Sequence, residues 1–334
     1  MPATITISTA FISIFRNLSM IVAITGGTGF IGKKLVSRLV EQGDTVRLLT
    51  RSSSKLPEMS SLMEIHKCDL ATAEIKNLSL ILDGVDVLYH CAAENNDISK
   101  MLATNMDGTR NLARAAVGKI GHWVQLSSVG VYGTHTCGEI TEETQLAPVN
   151  IYEASKAAAE NIVIETAAKN HFSYSILRPS KVYGPGMTNK VLFQLISLID
   201  SRAFFFVGKP GASANYIYVD DVVEGLIRCG TMPAARNCVY NISDYRTIEC
   251  FVSIISQVLR KPMPRLRVPE NLARILARMT AFIPNNPLTE KRVNAMVKSA
   301  IYSCEKLKAE LGYQHRVCME DGIRELVVNW KYNA

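Results

Sequence analysis

The 334-residue chain has no Cys-x-x-Cys pair, although it carries eight scattered cysteines. A chain of this length buries a sizeable core without staples. Free thiols in a reducing, cytoplasmic setting are therefore expected rather than a disulfide framework. No cluster of His, Cys and acidic residues has metal-ligand spacing, so no metal is expected. There is no dense Lys/Arg stripe, and 37 basic against 30 acidic residues leave a net charge of only +7. That excess suits small anionic molecules and gives no footprint for nucleic acid. No unbroken apolar run is long enough to span a membrane. The apolar, hydroxyl-rich stretch over residues 1–19 is interrupted at Arg16, Asn17 and Ser19, and it lacks the basic start of a signal peptide. It reads as an N-terminal extension outside the fold, with Met20 as the expected natural start and a peripheral anchor as the alternative. Repeats and low-complexity tracts are absent too.

What is present is alternation. With 48% hydrophobic and 20% charged residues the chain reads as globular. Short apolar runs predict strands over 20–25, 45–50, 63–66, 86–90, 123–127 and 174–178. Helical patterns lie between them, among others over 30–42, 98–117 and 151–169. Repeated strand–helix units imply an α/β fold, a doubly wound parallel sheet of Rossmann type covered on both faces. The expected division is a nucleotide-binding domain over 20–180 and a smaller substrate lobe over 181–334, mostly helical and partly interleaved with the first.

Thr25-Gly-Gly-Thr-Gly-Phe-Ile-Gly32 joins the first strand to the first helix. Gly26 permits the sharp turn, Gly29 lets backbone approach a pyrophosphate, and Gly32 permits close packing of helix on sheet. The helix start at Phe30 and Ile31 offers N–H groups and the positive end of the helix dipole to an anion. Such a loop between a strand and a helix points to a dinucleotide. The second strand ends Leu48-Leu49-Thr50-Arg51 and continues into Ser52-Ser53-Ser54-Lys55, with no acidic residue to meet an adenosine ribose. Arg51 can fork onto a 2′-phosphate, which favours NADP over NAD as cofactor.

Tyr152-Glu-Ala-Ser-Lys156 opens a helix, and positions four apart share one face. A free phenol has a pKa near 10, too high for a base at neutral pH. A lysine ammonium one turn away favours the phenolate and fits Tyr152 for moving a proton. Ser128, at the end of the fifth strand, can hydrogen-bond and polarise a substrate oxygen, with Ser127 as the runner-up. Asn105 is placed to brace the site from a neighbouring helix, or else to serve as a packing amide.

With these pieces in order, the chain resembles the extended short-chain dehydrogenase/reductase family, the NAD-dependent epimerase/dehydratase group. The matches are the glycine loop, Cys68-Asp69-Leu70, His90-Cys-Ala-Ala93, Asn105 with Gly108-Thr109, Ser127-Ser128, Tyr152 with Lys156, Leu177-Arg-Pro179, Val182-Tyr-Gly-Pro-Gly186 and Tyr218-Val-Asp-Asp-Val222. A terminal helix follows at Ser303 through Leu311-Gly-Tyr313. The resemblance implies that Asp69 and Leu70 meet the adenine, that Ala92 and Ala93 line the cofactor, and that Pro179 and Val182 lie beside the nicotinamide. It also implies catalysis by Ser128, Tyr152 and Lys156, and a homodimer built on the helices over 98–117 and 151–169.

The departures concern the substrate. Sugar-nucleotide members usually place an asparagine where Lys181 stands, and an arginine where Ala214-Asn215 stand. Lost arginines are lost charge-assisted bonds to a diphosphate; Lys181, Lys209 or Arg292 are the substitutes at hand. Val129-Gly130 occupy the place of the dehydratases' acidic pair, which disfavours water elimination. Two readings stand: a nucleotide-sugar epimerase or related sugar-modifying enzyme, and an NADPH-dependent reductase or dehydrogenase of a non-nucleotide ketone, of the dihydroflavonol-reductase or hydroxysteroid-dehydrogenase kind. A non-catalytic redox sensor is a third, opposed by the intact trio. His90 and Trp123 read as core. The basic stretch over 260–278, with Leu and Ile at helical spacing, reads first as a solvated helix face and second as a contact for an anionic substrate or a membrane.

Overall fold

Alternate residues of the first strand are buried on opposite sides of one sheet, Val22 and Ile24 in one apolar layer and Ala23 in the other. The computed structural model describes residues 19–51, 56, 59–169, 171–187, 190–280 and 288–333. Residues 1–18 of the expected extension over 1–19, and the segment over 52–55, lie outside the described residues. Two-residue bridges apart, the first half runs β1 (Ile21–Thr25), α1 (Phe30–Glu41), β2 (Thr45–Thr50), β3 (Met63–Lys67), α2 (Ile75–Leu82), β4 (Val85–His90), α3 (Ile98–Leu102), α4 (Gly108–Ala116), β5 (Ile120–Leu126), α5 (Ile151–Ala167) and β6 (Ser173–Pro179). The second half runs β7 (Lys181–Tyr183), α6 (Lys190–Asp200), β8 (Ser213–Tyr218), α7 (Val219–Thr231), β9 (Cys238–Ile242), β10 (Asp244–Thr247), α8 (Ile248–Leu259), α9 (Glu270–Met279), α10 (Glu290–Val297), α11 (Glu305–Leu311) and α12 (Met319–Asn333).

Seven strands form one parallel sheet in the order β9-β6-β5-β4-β1-β2-β3. The chain builds outward from β1 to β3, then returns to lay β4 against the other side of β1. The order therefore reverses between β1 and β4, where a crevice opens at the carboxyl ends of the strands. Strand β9 and helix α7 come from the second half, yet Tyr240, Ile242, Val222 and Leu226 sit in the same apolar layer as Val22 and Ile24. The two halves are thus interleaved. The second half has its own core, in which Tyr216 stacks on Phe251 with centroids 4.5 Å apart, and a small sheet in the order β10-β8-β7.

Several boundaries differ from expectation for identifiable reasons. Strand β5 starts at Ile120, three residues earlier than its apolar run, because His122 is a buried polar strand residue. Its ring nitrogens meet the hydroxyls of Ser173 at 2.7 Å and Ser175 at 2.9 Å on β6. The helix expected over 98–117 is divided by a π-helical turn at Ala103–Asp107. The helix over 305–311 is not terminal, since α12 follows it. The exposed face of α9 carries Leu272, Ile275, Leu276 and Met279 rather than a solvated polar stripe, because its small residues Ala273 and Ala277 make the core contact.

Beneath the ends of β5 and β6 lies a buried ion pair. Arg178 donates from Nε to Glu160 Oε1 at 3.0 Å and from Nη2 to Oε2 at 2.6 Å, a fork-to-fork arrangement. Glu160 also accepts from the hydroxyl of Ser127. Arg178 Nη1 reaches the Tyr132 hydroxyl at 2.8 Å, which donates to Asn241 Oδ1 at 2.8 Å on β9. Tyr132 is therefore a fully buried member of this network. Glu160→Ala strands a guanidinium away from water, and a loss of about 3–5 kcal/mol in urea unfolding is expected. Adding Arg178→Met should recover part of that loss. A single-variant cost under about 1 kcal/mol would mean the pair does not hold these elements together.

Candidate active site

The loop from β1 to α1 is shaped by its glycines. Gly26 has φ +71°, and a Cβ there would lie 2.6 Å from the Ala92 amide nitrogen. No L side chain fits, because backbone from the end of β4 fills that space. Gly29 is different: its Cβ would meet only the Gly26 carbonyl oxygen, at 3.2 Å, and otherwise open space. Gly32 packs on the loop itself, its Cβ position 2.3 Å from that same oxygen. The glycine that lets α1 close on the sheet is Gly27, whose Cβ would meet Leu48 Cδ1 at 2.4 Å. Helix α1 starts at Phe30 with no side-chain cap and no acidic residue in its first turn, which leaves that end suited to an anion.

A cleft of about 200 Å³ opens at the carboxyl ends of β1 to β4. Of the residues expected there, Gly26, Gly29, Arg51, Asp69, Leu70, Ala92 and Ala93 line it; Phe30, Ile31, Gly32, Pro179 and Val182 do not. Thr28, Thr50, Cys68, Cys91 and Thr104 line it too, without having been given a role from the sequence; Thr50, Cys68 and Cys91 stand at strand ends, Thr28 in the glycine loop and Thr104 in the π-helical turn. Cys91 is no nucleophile here, since burial pushes its thiol up to about 12. Arg51 is exposed, and its charge is felt by the Glu94 carboxylate, which is lowered first by the Asn96 amide. The glycine cradle, the uncapped helix end and the cleft beside them fit a dinucleotide.

His90, at the end of β4, fastens the crevice. Its Nδ1 lies 2.6 Å from the Thr25 hydroxyl and its Nε2 lies 2.9 Å from that of Thr109. Thr109 in turn donates to the Asn105 carbonyl at 2.6 Å. Burial first, and the charge of Lys156 second, push His90 down to about 3, so it is a neutral structural imidazole. Asn105, in the π-helical turn, accepts from the Glu94 amide at 2.7 Å and donates to the Glu94 carbonyl at 2.9 Å and to Ser155 Oγ at 2.9 Å. Its amide is committed to bracing the β4 loop against α5.

The start of α5 is capped by Asn150, whose side chain accepts from the Glu153 amide at 3.0 Å, while Glu153 returns to the Val149 amide at 2.8 Å. This reciprocal capping sets Tyr152 in the first turn. Burial, then the neighbouring Glu153, raise the Tyr152 phenol above its ordinary value. Lys156 is buried one turn on and donates to the Leu126 carbonyl at the end of β5; burial pushes it down to about 8. The phenol is therefore not lowered by the lysine in the free site, contrary to the sequence-based expectation. Of the two serines, Ser127 is buried and spent on Glu160. Ser128 is half-buried and accepts from the Gly130 amide at 3.1 Å. A Cβ at Gly130 would lie 3.4 Å from Ser128 Oγ and 3.1 Å from Glu153 Cγ, which places that hydroxyl beside the first turn of α5.

A second cavity, of about 220 Å³, lies in the other half of the chain. Its walls include Leu195, Leu198, Phe204, Ile248, Met296 and Ala214. Lys181 and Arg292 are its charged residues, Lys181 with its Nζ 5.2 Å from the centre of the Tyr216 ring and Arg292 donating to Gln194. Lys209 lines a separate surface depression.

Residues 22–243 match the family model described as NAD dependent epimerase/dehydratase family. Among curated relatives, the UDP-glucose 4-epimerase of Vibrio cholerae is 27% identical over 270 residues, covering 76% of this chain and 80% of that protein. The 3 beta-hydroxysteroid dehydrogenase/Delta 5-->4-isomerase of Mycobacterium tuberculosis is 24% identical over 338 residues, covering 91% and 88%. A solved structure described as MoeE5 in complex with UDP-glucose and NAD superposes with a TM-score of 0.71 at 23% identity, covering 94% of this chain and 99% of that one. The strand order, the glycine cradle at its switch point and the match across two thirds of the chain agree: this chain belongs to the NAD-dependent epimerase/dehydratase family.

Proposed function

We propose that this protein moves hydride at a secondary alcohol or ketone carbon, with Ser128, Tyr152 and Lys156 carrying the chemistry. The observation that supports this most is the arrangement of these three side chains around the end of β5 and the first two turns of α5, at the same sheet edge as the cleft. Gly26, Gly29 and the helix start at Phe30, Ile31 and Gly32 would hold the pyrophosphate. Asp69, Leu70, Ala92 and Ala93 would flank the adenine half, and Pro179 and Val182 the nicotinamide half. When bound, the dinucleotide supplies the hydride donor or acceptor.

The side chains divide the remaining work. Ser128 accepts from a backbone amide, which leaves its own hydrogen free to point at a substrate oxygen. The Tyr152 phenol, held protonated by burial, is suited to giving its proton to that oxygen as a ketone is reduced. Lys156 keeps most of its charge at neutral pH and stabilises the phenolate that results. Asn105 and His90 position these groups and touch no substrate. A homodimer through α3, α4 and α5 would cover the exposed Ile98, Leu102 and Ile151.

Two substrate readings are open to test. A nucleotide-sugar epimerase draws support from the Vibrio relative and from the structure holding UDP-glucose and NAD. A ketone reductase or dehydrogenase draws support from the second cavity, whose walls are mainly apolar and where Ala214 replaces the arginine that a diphosphate needs. NADP is the preferred cofactor in this reading, through Arg51.

Titration calorimetry tests the cofactor: NADPH should bind at least about tenfold tighter than NADH, and Arg51→Ala should erase that difference. Equal affinities for the two would sink the preference. Turnover tests the chemistry, with UDP-glucose epimerisation and NADPH oxidation by apolar ketones measured side by side. Tyr152→Phe should cost at least about a hundredfold in whichever activity is found, with cofactor affinity unchanged. Retained activity would favour a non-catalytic role for the site.

Lys156 gives a pH-dependent prediction. Below about pH 8 it is charged both folded and unfolded, so the full cost of burying that charge, about 3 kcal/mol, is present. Between pH 8 and its unfolded value the native lysine sheds its proton first, and the cost is relieved as pH rises. Lys156→Met should therefore melt higher than wild type at pH 7, by an advantage that shrinks toward pH 10, while turnover falls. A constant difference across that range would refute the assignment.

A further inference from the structure

We infer that α9 and the segment leading into it form a docking face for a bilayer that carries anionic lipid. Helix α9 has two apolar sides. Ala273 and Ala277 pack inward with Val207 and Val293. Leu272, Ile275, Leu276 and Met279 fall at the i, i+3, i+4, i+7 spacing of a single stripe, yet they are 48%, 54%, 38% and 65% exposed. Leu266, 64% exposed, and Met263 extend the apolar surface into the preceding segment. Apolar residues scattered singly over a surface need no explanation, but a run along one helix face does.

The charge around this stripe identifies its occupant. Between residues 260 and 280 stand Arg260, Lys261, Arg265, Arg267, Arg274 and Arg278, with Glu270 as the one carboxylate. Lys261, Arg267, Arg274 and Arg278 are matched by Asp200, Glu249, Glu270 and Glu290. Arg260 and Arg265, both exposed, have no carboxylate partner among the described residues, so the segment leading into α9 carries an excess of positive charge. A helix with an exposed apolar side and cations beside it lies in a membrane interface with its apolar side in the acyl boundary and its cations among the headgroups. A second copy of this chain fits less well, because it offers this segment the same excess of cations rather than opposite charge.

A helix of ten residues is about 15 Å long, so its hold on a bilayer is reversible and weakened by salt. The inward side of α9, not the docked one, faces the helix that lines the apolar cavity. Ala273 and Ala277 share a cluster with Val293 on α10, and α10 contributes Arg292 and Met296 to the cavity. Docking by α9 does not depend on which substrate the site takes.

The test is co-sedimentation of the full chain with vesicles of phosphatidylcholine, with and without phosphatidylserine. Phosphatidylserine vesicles should carry the protein down, and salt should release it. Leu272→Ser/Ile275→Ser should weaken partition about tenfold. Arg260→Glu/Arg265→Glu should abolish the preference for phosphatidylserine. All four side chains are exposed, so both variants should keep the wild-type melting temperature and cofactor affinity, which separates lost docking from lost folding or a failed site. No partition by the wild type would overturn the proposal, as would partition that survives both double substitutions. So would sedimentation velocity showing a wild-type dimer that Leu272→Ser/Ile275→Ser turns into monomer, because the stripe would then belong to a second copy.

Discussion

The geometry of the candidate site depends on one carboxylate and one guanidinium that left water together. Tyr152, Lys156 and Glu160 are spaced by four along α5, so they share a helix face, and whatever fixes one fixes the rotation of all three. Glu160 is fixed by both arms of the Arg178 fork, and Arg178 belongs to β6, a strand paired on both sides within the sheet. The pair therefore registers α5 against the sheet. It also sorts the serines: it takes the Ser127 hydroxyl and leaves that of Ser128 uncommitted to the pair. A buried pair of this kind is weak as a source of net stability, since desolvation offsets most of its attraction. Its value here is geometric, because any other rotation of α5 would leave two buried charges unpaired.

The nucleotide side of the crevice is held by a second polar chain that carries no charge. Thr109 donates to the Asn105 carbonyl, so its oxygen is left to accept from His90 Nε2, and His90 Nδ1 is left to accept from Thr25. Thr25 then accepts from the Ala92 amide at 3.2 Å. Each donor meets one acceptor, which is the condition for burying such groups at little cost. The chain runs across the gap between β1 and β4, where the topology leaves the crevice open, and ties that gap to the π-helical turn whose Asn105 braces α5. The cleft and α5 are thereby tied together by one chain of hydrogen bonds.

How much of this was legible in the sequence follows from what kind of signal each feature leaves. The glycine loop and the Tyr152/Lys156 spacing are local, and both stand where expected. The roles inside the loop were less so: Gly27 rather than Gly32 makes the approach to the sheet, because that depends on where Leu48 reaches from β2. Strand β5 was read short because a buried His122 looks polar until Ser173 and Ser175 on β6 are known to partner it. Strand β9 was not anticipated in the second half, since five residues with Asn241 among them have no clear period. In α9 the apolar spacing was visible, but its direction was not. Spacing says that a helix has an apolar side; only packing says which side turns inward, and there two alanines displace four larger residues.

The shifts of Tyr152 and Lys156 carry the last step. Burial is the first cause of both, and in each it favours the neutral form: a phenol that keeps its proton and an ammonium ready to lose one. Desolvation alone would make the pair a poor base and a reasonable acid. What counters it is Glu160, whose negative charge supports the lysine ammonium and is in turn paid for by Arg178. The charge of Lys156 is thus set at two removes, by Arg178 through Glu160. If Arg178 loosened its grip on Glu160, α5 would lose its rotational anchor and Lys156 the counter-charge that keeps it protonated. Stability and chemistry would then fail together, through the same pair of groups.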